Sequence, residues 1–285
     1  MIKLNVAGVP EHFNFPWHTA IESGDFAKAG FEVNWTDFPG GTGAMMKSLR
    51  SGESDVAVVL TQGAVADILK DNPSRIVKTF VESPLSWGIH VPADSDIETV
   101  EQIQGRTYAI SRQGSGSHLM SIVDAADRGW DSSSLKFEMV GGLEGARKAF
   151  TDGDAEVFFW EKATTDPFVQ SGEFRLVGIR KTIWPAFVIC VHEKILAAHG
   201  KELRTMFEVL IRHCQQLVAD QDAVKRIADR YELDPHETEM WFSSTVWDES
   251  FAMPDRALPV VIQYLNRLEI VTAPTAMPAD VWQQL

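Results

Sequence analysis

Three hydroxyls, one imidazole and two glycines fall within eight residues of this chain, at Ser111, Gly114, Ser115, Gly116, Ser117 and His118. An apolar run at 107–110 precedes them and reads as a buried strand; residues 119–126 follow and read as a helix. A strand, a Gly/Ser loop and a helix in that order aim free backbone N–H groups at an anion. Glycine lets the backbone approach a ligand, and the hydroxyls of Ser115 and Ser117 either donate to that ligand or cap the helix. A capped helix without any ligand uses the same residues, so the rest of the chain has to decide.

Two catalytic templates are absent. Gly114-Ser115-Gly116-Ser117 is not a nucleophile elbow, because Gly116 stands where the serine should be. No glycine loop runs on into the Gly-Lys-Ser/Thr of a P-loop. The two cysteines, Cys190 and Cys214, have no metal-binding spacing and read as buried free thiols, with a disulfide left open. His12 and His18 have neither helical nor turn logic as a metal pair, so no metal and no cofactor are expected.

The 285 residues suffice for two lobes of ordinary domain size, and 45% hydrophobic with 23% charged residues is a globular composition. A formal net charge of −14 disfavours nucleic acid and anionic membrane surfaces as partners. It does not forbid a local anion site, since helix termini act at short range. The sequence opens directly on an alternating pattern at 2–7, without the basic start and cleavage site of a signal peptide, and no apolar stretch approaches the ~20 residues of a membrane span. As written, the chain is expected to be cytoplasmic, with no membrane insertion; an upstream leader would make it periplasmic.

The elements that must hold these groups alternate. Strands are expected at 2–7, 31–35, 55–60 and 76–81, with helices at 19–29, 44–50 and 64–70 between them and an aromatic-rich loop at 10–18. A second series has strands at 87–91, 107–110, 136–140, 155–160, 174–179 and 186–191, with helices at 98–104, 119–126 and 144–150. This alternation predicts an α/β fold with largely parallel sheets. From 194 onward the pattern is helical: 194–219, 222–231, a helix opened by Asp234 and Pro235, and 255–268.

An internal echo organises the series. Residues 48–59 and 149–160 share a helix end, a glycine stop (Gly52, Gly153), an acidic turn and a buried strand. Each is preceded by a glycine-containing helix start, at Gly41-Thr42-Gly43 and at 142–145. Two similar α/β lobes follow, and a cleft between lobes is a preferred place for a small ligand.

The motifs Gly40-Gly41-Thr42-Gly43-Ala44-Met45, Ser51-Gly52-Glu53-Ser54-Asp55, Ser83-Pro84-Leu85-Ser86-Trp87-Gly88-Ile89-His90 and the 111–118 loop together resemble the type 2 periplasmic binding proteins. Within them the chain resembles the branch holding nitrate, sulfonate and taurine binding proteins and thiamine-pyrimidine-synthase-like proteins, and a signal-less subgroup of poorly defined role. The resemblance implies two Rossmann-like lobes, a two-crossing hinge and a central cleft, with the C-terminal helices on lobe one. Lobe one would be residues 1–86 plus 188–285, and lobe two 87–187. It implies a small-molecule ligand and, for a transport role, an ABC-transporter permease as partner. The cysteine-rich run of the yeast-type pyrimidine synthases is missing. Menaquinone-pathway enzymes share the fold, so proton chemistry on a bound organic acid is the alternative, although their starting motifs are absent here.

Ligands of α/β sheets bind beyond the carboxyl ends of strands. Lobe one thereby offers Trp17, His18, Thr42, Gly43, Thr61 and Gln62; lobe two offers Ser115, Gly116, Ser117, His118, Trp160 and Glu161; Ser86 and Trp87 fall by the hinge. Helix N-termini from both lobes favour a carboxylate, sulfonate or phosphate. The three tryptophans either wall a ring or pack in cores. Glu161, ending a buried strand, needs a partner: Lys162, Arg112, Arg147, or an amine or ring N–H of the ligand.

Overall fold

The computed structural model describes residues 1–285 and divides them into two compact units, Met1–Ser83 with Trp184–Leu285, and Pro84–Ile183. The first unit begins with β1 (Ile2–Gly8), α1 (Phe15–Glu22), α2 (Asp25–Lys28), β2 (Phe31–Asp37), α3 (Thr42–Ser51), β3 (Val56–Leu60), α4 (Thr61–Ile68) and β4 (Ser74–Val81). The second consists of β5 (Ser86–Pro92), β6 (Thr107–Ile110), α5 (Gly116–Asp127), β7 (Lys136–Met139), α6 (Leu143–Asp152), β8 (Val157–Glu161), α7 (Lys162–Gln170) and β9 (Phe174–Lys181). The chain then returns to the first unit with β10 (Phe187–His192), α8 (Glu193–Ala219), α9 (Ala223–Tyr231), α10 (Pro235–Ser244) and α11 (Ala257–Arg267).

Each unit is built on a five-stranded sheet, ordered β2-β1-β3-β10-β4 in the first and β7-β6-β8-β5-β9 in the second. The central strand of each reads as an apolar run, β3 throughout and β8 from Val157 to Trp160, because both of its faces are covered. The sheets are mixed, which corrects the largely parallel expectation. Strands joined by helical crossovers do pair in parallel, β1 with β2 and β3, β6 with β7 and β8. Into each sheet, however, one antiparallel strand is inserted that arrives by no such crossover: β10 between β3 and β4, β5 between β8 and β9. Ser86 stands opposite Lys181, and Phe187 opposite Leu60 and Val81.

Other differences are local. The aromatic stretch at 10–18 is not a loop: a 3-10 turn at His12–Asn14 leads into α1, which starts at Phe15. The expected helix at 19–29 breaks at Gly24, whose φ of 72° ends one segment and opens the next. Thr61, Gln62 and Gly63, read as the end of a strand, form the first turn of α4. Helix α7 was not expected, since Pro167 sits inside it and masks the pattern. Asp234 caps α10 as read, accepting the N–H groups of His236 and Glu237.

The C-terminal segment protects an edge. Ile76 of β4 exchanges bonds with Val281 and Gln283, while Phe80 and Glu82 bond to Asp248 and Val246. Lys78, only 1% exposed, donates to the Asp248 and Ser250 carbonyls and to the Asp248 carboxylate. A covered edge strand is closed to pairing with other chains. No helix is long and apolar enough to cross a membrane. Cys190 and Cys214 are both free and buried, and burial pushes both thiols well above their ordinary pKa.

Candidate functional site

In the first unit, α3 and α4 begin beside one another. Glycine at position 41 takes a φ of 70° and opens α3 with no side-chain cap. Thr42, the first residue of α3, accepts the Leu60 N–H on its Oγ1 at 3.0 Å, which fastens the end of β3 to the start of α3. A Cβ on Gly63 would lie 2.5 Å from Thr42 Cγ2, so glycine is what lets the two first turns approach. Gly43 is half-buried on α3. The Thr61 hydroxyl donates to Pro185 O at 2.5 Å, and its N–H to Ala186 O. Gln62 is 2% exposed; its Oε1 accepts the Trp184 indole N–H at 3.0 Å, and its Nε2 has no hydrogen-bond partner. Trp184 and Pro185 carry no local sequence signal; only the return of the chain at β10 brings them here.

Trp17 and His18 do not join this cluster through any such bond. Trp17 is a core residue of the first unit, fully buried among the rings of Phe26, Trp35, Phe80 and Phe207. His18 is half-buried with its ring 5.0 Å from Trp35. Burial first, and then the Arg230 guanidinium, hold its imidazole below the ordinary pKa and therefore neutral at pH 7.

In the second unit, the loop at 111–118 closes on itself. Gly114 supplies a φ of 76°. The Ser115 Oγ caps α5 by accepting the His118 N–H, and lies 3.1 Å from Ser117 Oγ. Ser117 Oγ accepts the Ser111 N–H at 3.0 Å. Ser115 and Ser117 are buried, so their hydroxyls serve the loop, and the N–H groups of the first turn, at Gly116 and Ser117, have no acceptor within the helix. His118 accepts the Gly114 N–H on Nδ1 and packs edge-on against Phe137. Burial lowers the pKa of the neighbouring Arg112 guanidinium.

Glu161 finds its partner in its own helix. Its Oε2 accepts the Thr164 N–H at 2.7 Å and the Thr164 hydroxyl at 2.8 Å, capping α7, while Arg147 is engaged by Glu144 and Glu173. Trp160 stacks on Phe158 at 5.0 Å and packs against the Ala109, Ala146 and Ala149 cluster. Trp87 is buried with an unpartnered indole N–H and stands opposite Glu161 in the ladder; Ser86, half-buried, starts the same strand. The motif around Trp87 has a packing origin: a Cβ on Gly88 would come within 2.2 Å of the His90 ring. His90 is fully buried, with Nδ1 3.2 Å from Phe158 O and Nε2 2.9 Å from Thr165 Oγ1. A carbonyl only accepts, so Nδ1 carries the proton; the Thr165 hydroxyl beside Nε2 also reaches the Glu161 and Lys162 carbonyls, each at 3.1 Å.

A separate cavity of about 430 Å³ opens in the first unit between α1, α8 and α9, lined by Glu22, Ser23, Gln216 and Arg226 among others. Thr19, His213 and Asp25 form a line there, with 3.0 Å from Thr19 Oγ1 to His213 Nδ1 and 3.0 Å from Nε2 to the Asp25 carboxylate. The Lys28 ammonium first, then His213, hold the Asp25 carboxyl well below its ordinary range. The Thr19 Oγ1 also lies 3.0 Å from Pro16 O, to which it donates, so its proton is directed to the backbone and not to the imidazole. No group of three or more His, Cys, Asp or Glu side chains is placed to hold a metal ion.

Residues 87–179 match the model of a family described as Ca3427-like PBP. Among solved structures, the chain is similar to the CA3427 gene product of Candida albicans, described as defining a family with the generic periplasmic binding protein fold. That pair is 22% identical with a TM-score of 0.87, covering 99% of this chain and 94% of the other. It is also similar to the alkanesulfonate-binding protein SsuA from Xanthomonas axonopodis pv. citri bound to MOPS, at 16% identity and a TM-score of 0.83, covering 100% and 99%. PhnD1 from Prochlorococcus marinus in complex with methylphosphonate is similar at 12% identity and a TM-score of 0.65, covering 94% and 99%. No curated protein matches in sequence. The fold is that of the type 2 periplasmic binding proteins, as the resemblance carried by the glycine motifs implies.

Proposed function

We propose that this protein binds a small organic oxyanion, a sulfonate, phosphonate or carboxylate, and serves as the ligand-binding component of an ABC-type import system or as a relative of one. The observation that carries the reading is that α3 and α6 both begin at a glycine with no side-chain cap, at Gly41 and Gly142. An uncapped helix N-terminus presents N–H donors and the positive end of the helix dipole, the two features that hold an oxyanion. The neighbouring structures support it: one is described as alkanesulfonate-binding and bound to MOPS, another as in complex with methylphosphonate. The candidate contacts are Thr42, Gly43, Thr61 and Gln62 in the first unit, and Gly116, Ser117 and His118 in the second. Trp87 and Trp160 are proposed as apolar neighbours of any ring the ligand carries.

A thermal-shift and calorimetric screen with MOPS, methylphosphonate, sulfate and pyrimidine phosphates tests the reading. A ligand at 100 times its Kd adds about 2.7 kcal/mol to the folded state, a shift of several degrees. If no member of the panel raises the melting temperature or releases heat, the anion-binding reading is wrong. Recovery of the ligand unchanged after prolonged incubation separates a binder from an enzyme.

A further inference from the structure

The two sheets end differently. In the first unit the β4 edge is covered by the segments at 246–248 and 281–283. In the second unit β7 is a terminal strand of the order β7-β6-β8-β5-β9, and its outer side pairs with no strand. Strands β5 and β9, which continue into the two chain crossings, stand at the other end of that order. An uncovered strand edge is a template for another strand.

The backbone of β7 fixes which groups that edge offers. Met139 stands opposite Ile110 in the parallel ladder with β6, and Val140 gives its N–H to Ile110 O. Backbone groups point to alternate sides along a strand, so Lys136, Glu138 and Val140 bond to β6. Phe137 and Met139 therefore present their N–H and C=O outward, as does Leu135, which is also extended at φ −64°, ψ 136°. Side chains alternate between the two faces of the sheet. Leu135, Phe137 and Met139 share one face, where the Phe137 ring meets Tyr108 and His118 and Met139 is 63% exposed. Lys136 and Glu138 share the other face, both exposed. Residues 135–139 thus run apolar, positive, aromatic, negative, apolar, a pattern that complements itself when reversed.

An antiparallel second copy bonds to this edge only where outward groups meet outward groups, which sets odd-numbered residues opposite odd-numbered ones. A register centred on Lys136 places that lysine opposite itself, and one centred on Glu138 places glutamate opposite itself; both are repulsive. The register centred on Phe137 places Lys136 opposite Glu138 of the second copy on both sides of the axis. It also sets Phe137 against Phe137 and Leu135 against Met139. Backbone direction and charge select the same register.

We propose that β7 is a self-association edge: a second copy of this chain adds its own β7 antiparallel, about a two-fold axis at Phe137, and joins two five-stranded sheets into one. The Phe137 pair and the Leu135–Met139 pairs each exchange backbone bonds. The Lys136–Glu138 pairs fall at the positions between, where facing side chains lie closest. Residues 135–139 are far fewer than the roughly 20–30 a side of a stable interface, so the dimer is weak, reversible and concentration-dependent.

Sedimentation velocity on the full chain tests this, from about 5 to about 500 μM protein, the range in which a weak contact forms and dissociates. The salt is about 0.15 M, so that repulsion between copies of net charge −14 is screened beyond about 8 Å. The wild type is expected to pass from monomer to dimer as concentration rises. Lys136→Glu and Glu138→Lys each set like charges opposite one another on both sides of the axis, and each is expected to weaken the dimer at least roughly 10-fold. An equimolar mixture of the two variants restores opposite charges across the edge and is expected to recover wild-type association. Both side chains are exposed, and a cooperative melting transition checks that each variant folds. If a single variant does not fold, the double variant Lys136→Glu/Glu138→Lys decides, since it also restores opposite charges and should associate with itself. A wild type that stays monomeric throughout overturns the proposal. So does a dimer indifferent to either reversal, and so do reversals that neither the mixture nor the double variant repairs.

Discussion

Lowering the pH from 7.5 to 4 should unload the second unit through one residue, His90. Its imidazole lies in the middle of β5, fully buried, between the Phe158 carbonyl and the Thr165 hydroxyl, with the Lys162 ammonium as the charged group that acts on it. Burial drives its pKa from 6.5 down to about 4, the Phe158 carbonyl partly opposing. The unfolded chain therefore takes up a proton near pH 6.5 that the folded protein refuses until about pH 4. Between those values the unfolded state binds more protons, so stability is full above pH 6.5 and is lost as pH falls. With each factor of ten worth about 1.4 kcal/mol, the loss from this residue reaches about 3 kcal/mol at pH 4. Carboxylates also titrate in this window, so the quantity to measure is a difference. Urea unfolding of the wild type and of His90→Gln is followed at half-unit pH intervals. The stability gap in favour of the wild type should narrow by about 3 kcal/mol between pH 7 and pH 4. A gap constant across that range, or an NMR titration placing His90 near 6.5, would show that the buried imidazole is not the acid-sensitive group.

Three further perturbations follow from named contacts. Gly63→Ala drives a methyl group against Thr42 Cγ2 and strains the Thr42 bond to Leu60 N, for an expected loss of about 1–3 kcal/mol in chemical denaturation; a neutral result would mean that α3 and α4 are not closely apposed. Lys78→Met removes the three donations that hold residues 248–250 on β4 and leaves the Asp248 carboxylate uncompensated, costing about 3 kcal/mol and exposing the 245–256 segment to limited proteolysis. Unchanged stability and protease resistance would contradict the role assigned to that lysine. Glu161→Ala strips the α7 cap and should cost about 0.5–2 kcal/mol, with faster hydrogen exchange at Thr164; exchange as slow as in the wild type would mean that the carboxylate does not cap.

Much of the fold was legible because the signals are local. The glycine stops at 52 and 153, the Asp234-Pro235 start of α10 and the buried runs of β3 and β8 are each set by neighbours within a few residues, and together they yield two α/β units. The candidate site was legible only in outline. The serines of the 111–118 loop were correctly read as belonging to a helix start, but their hydroxyls turn inward. Glu161 was marked as a carboxylate in need of a partner, and helix α7, which supplies it, was hidden by Pro167.

By itself, then, the sequence determined which segments alternate, where the glycine-stopped helices end, and that one unit echoes the other. Tertiary structure alone decided which strand enters each sheet in the opposite sense, that Trp17 is core, and that Gln62 meets Trp184 across 122 residues of chain. The physical reason is one of range. Backbone propensity and capping act over a turn or two, whereas the partner of a buried amide or indole is fixed by where a distant strand returns, and no local pattern carries that information.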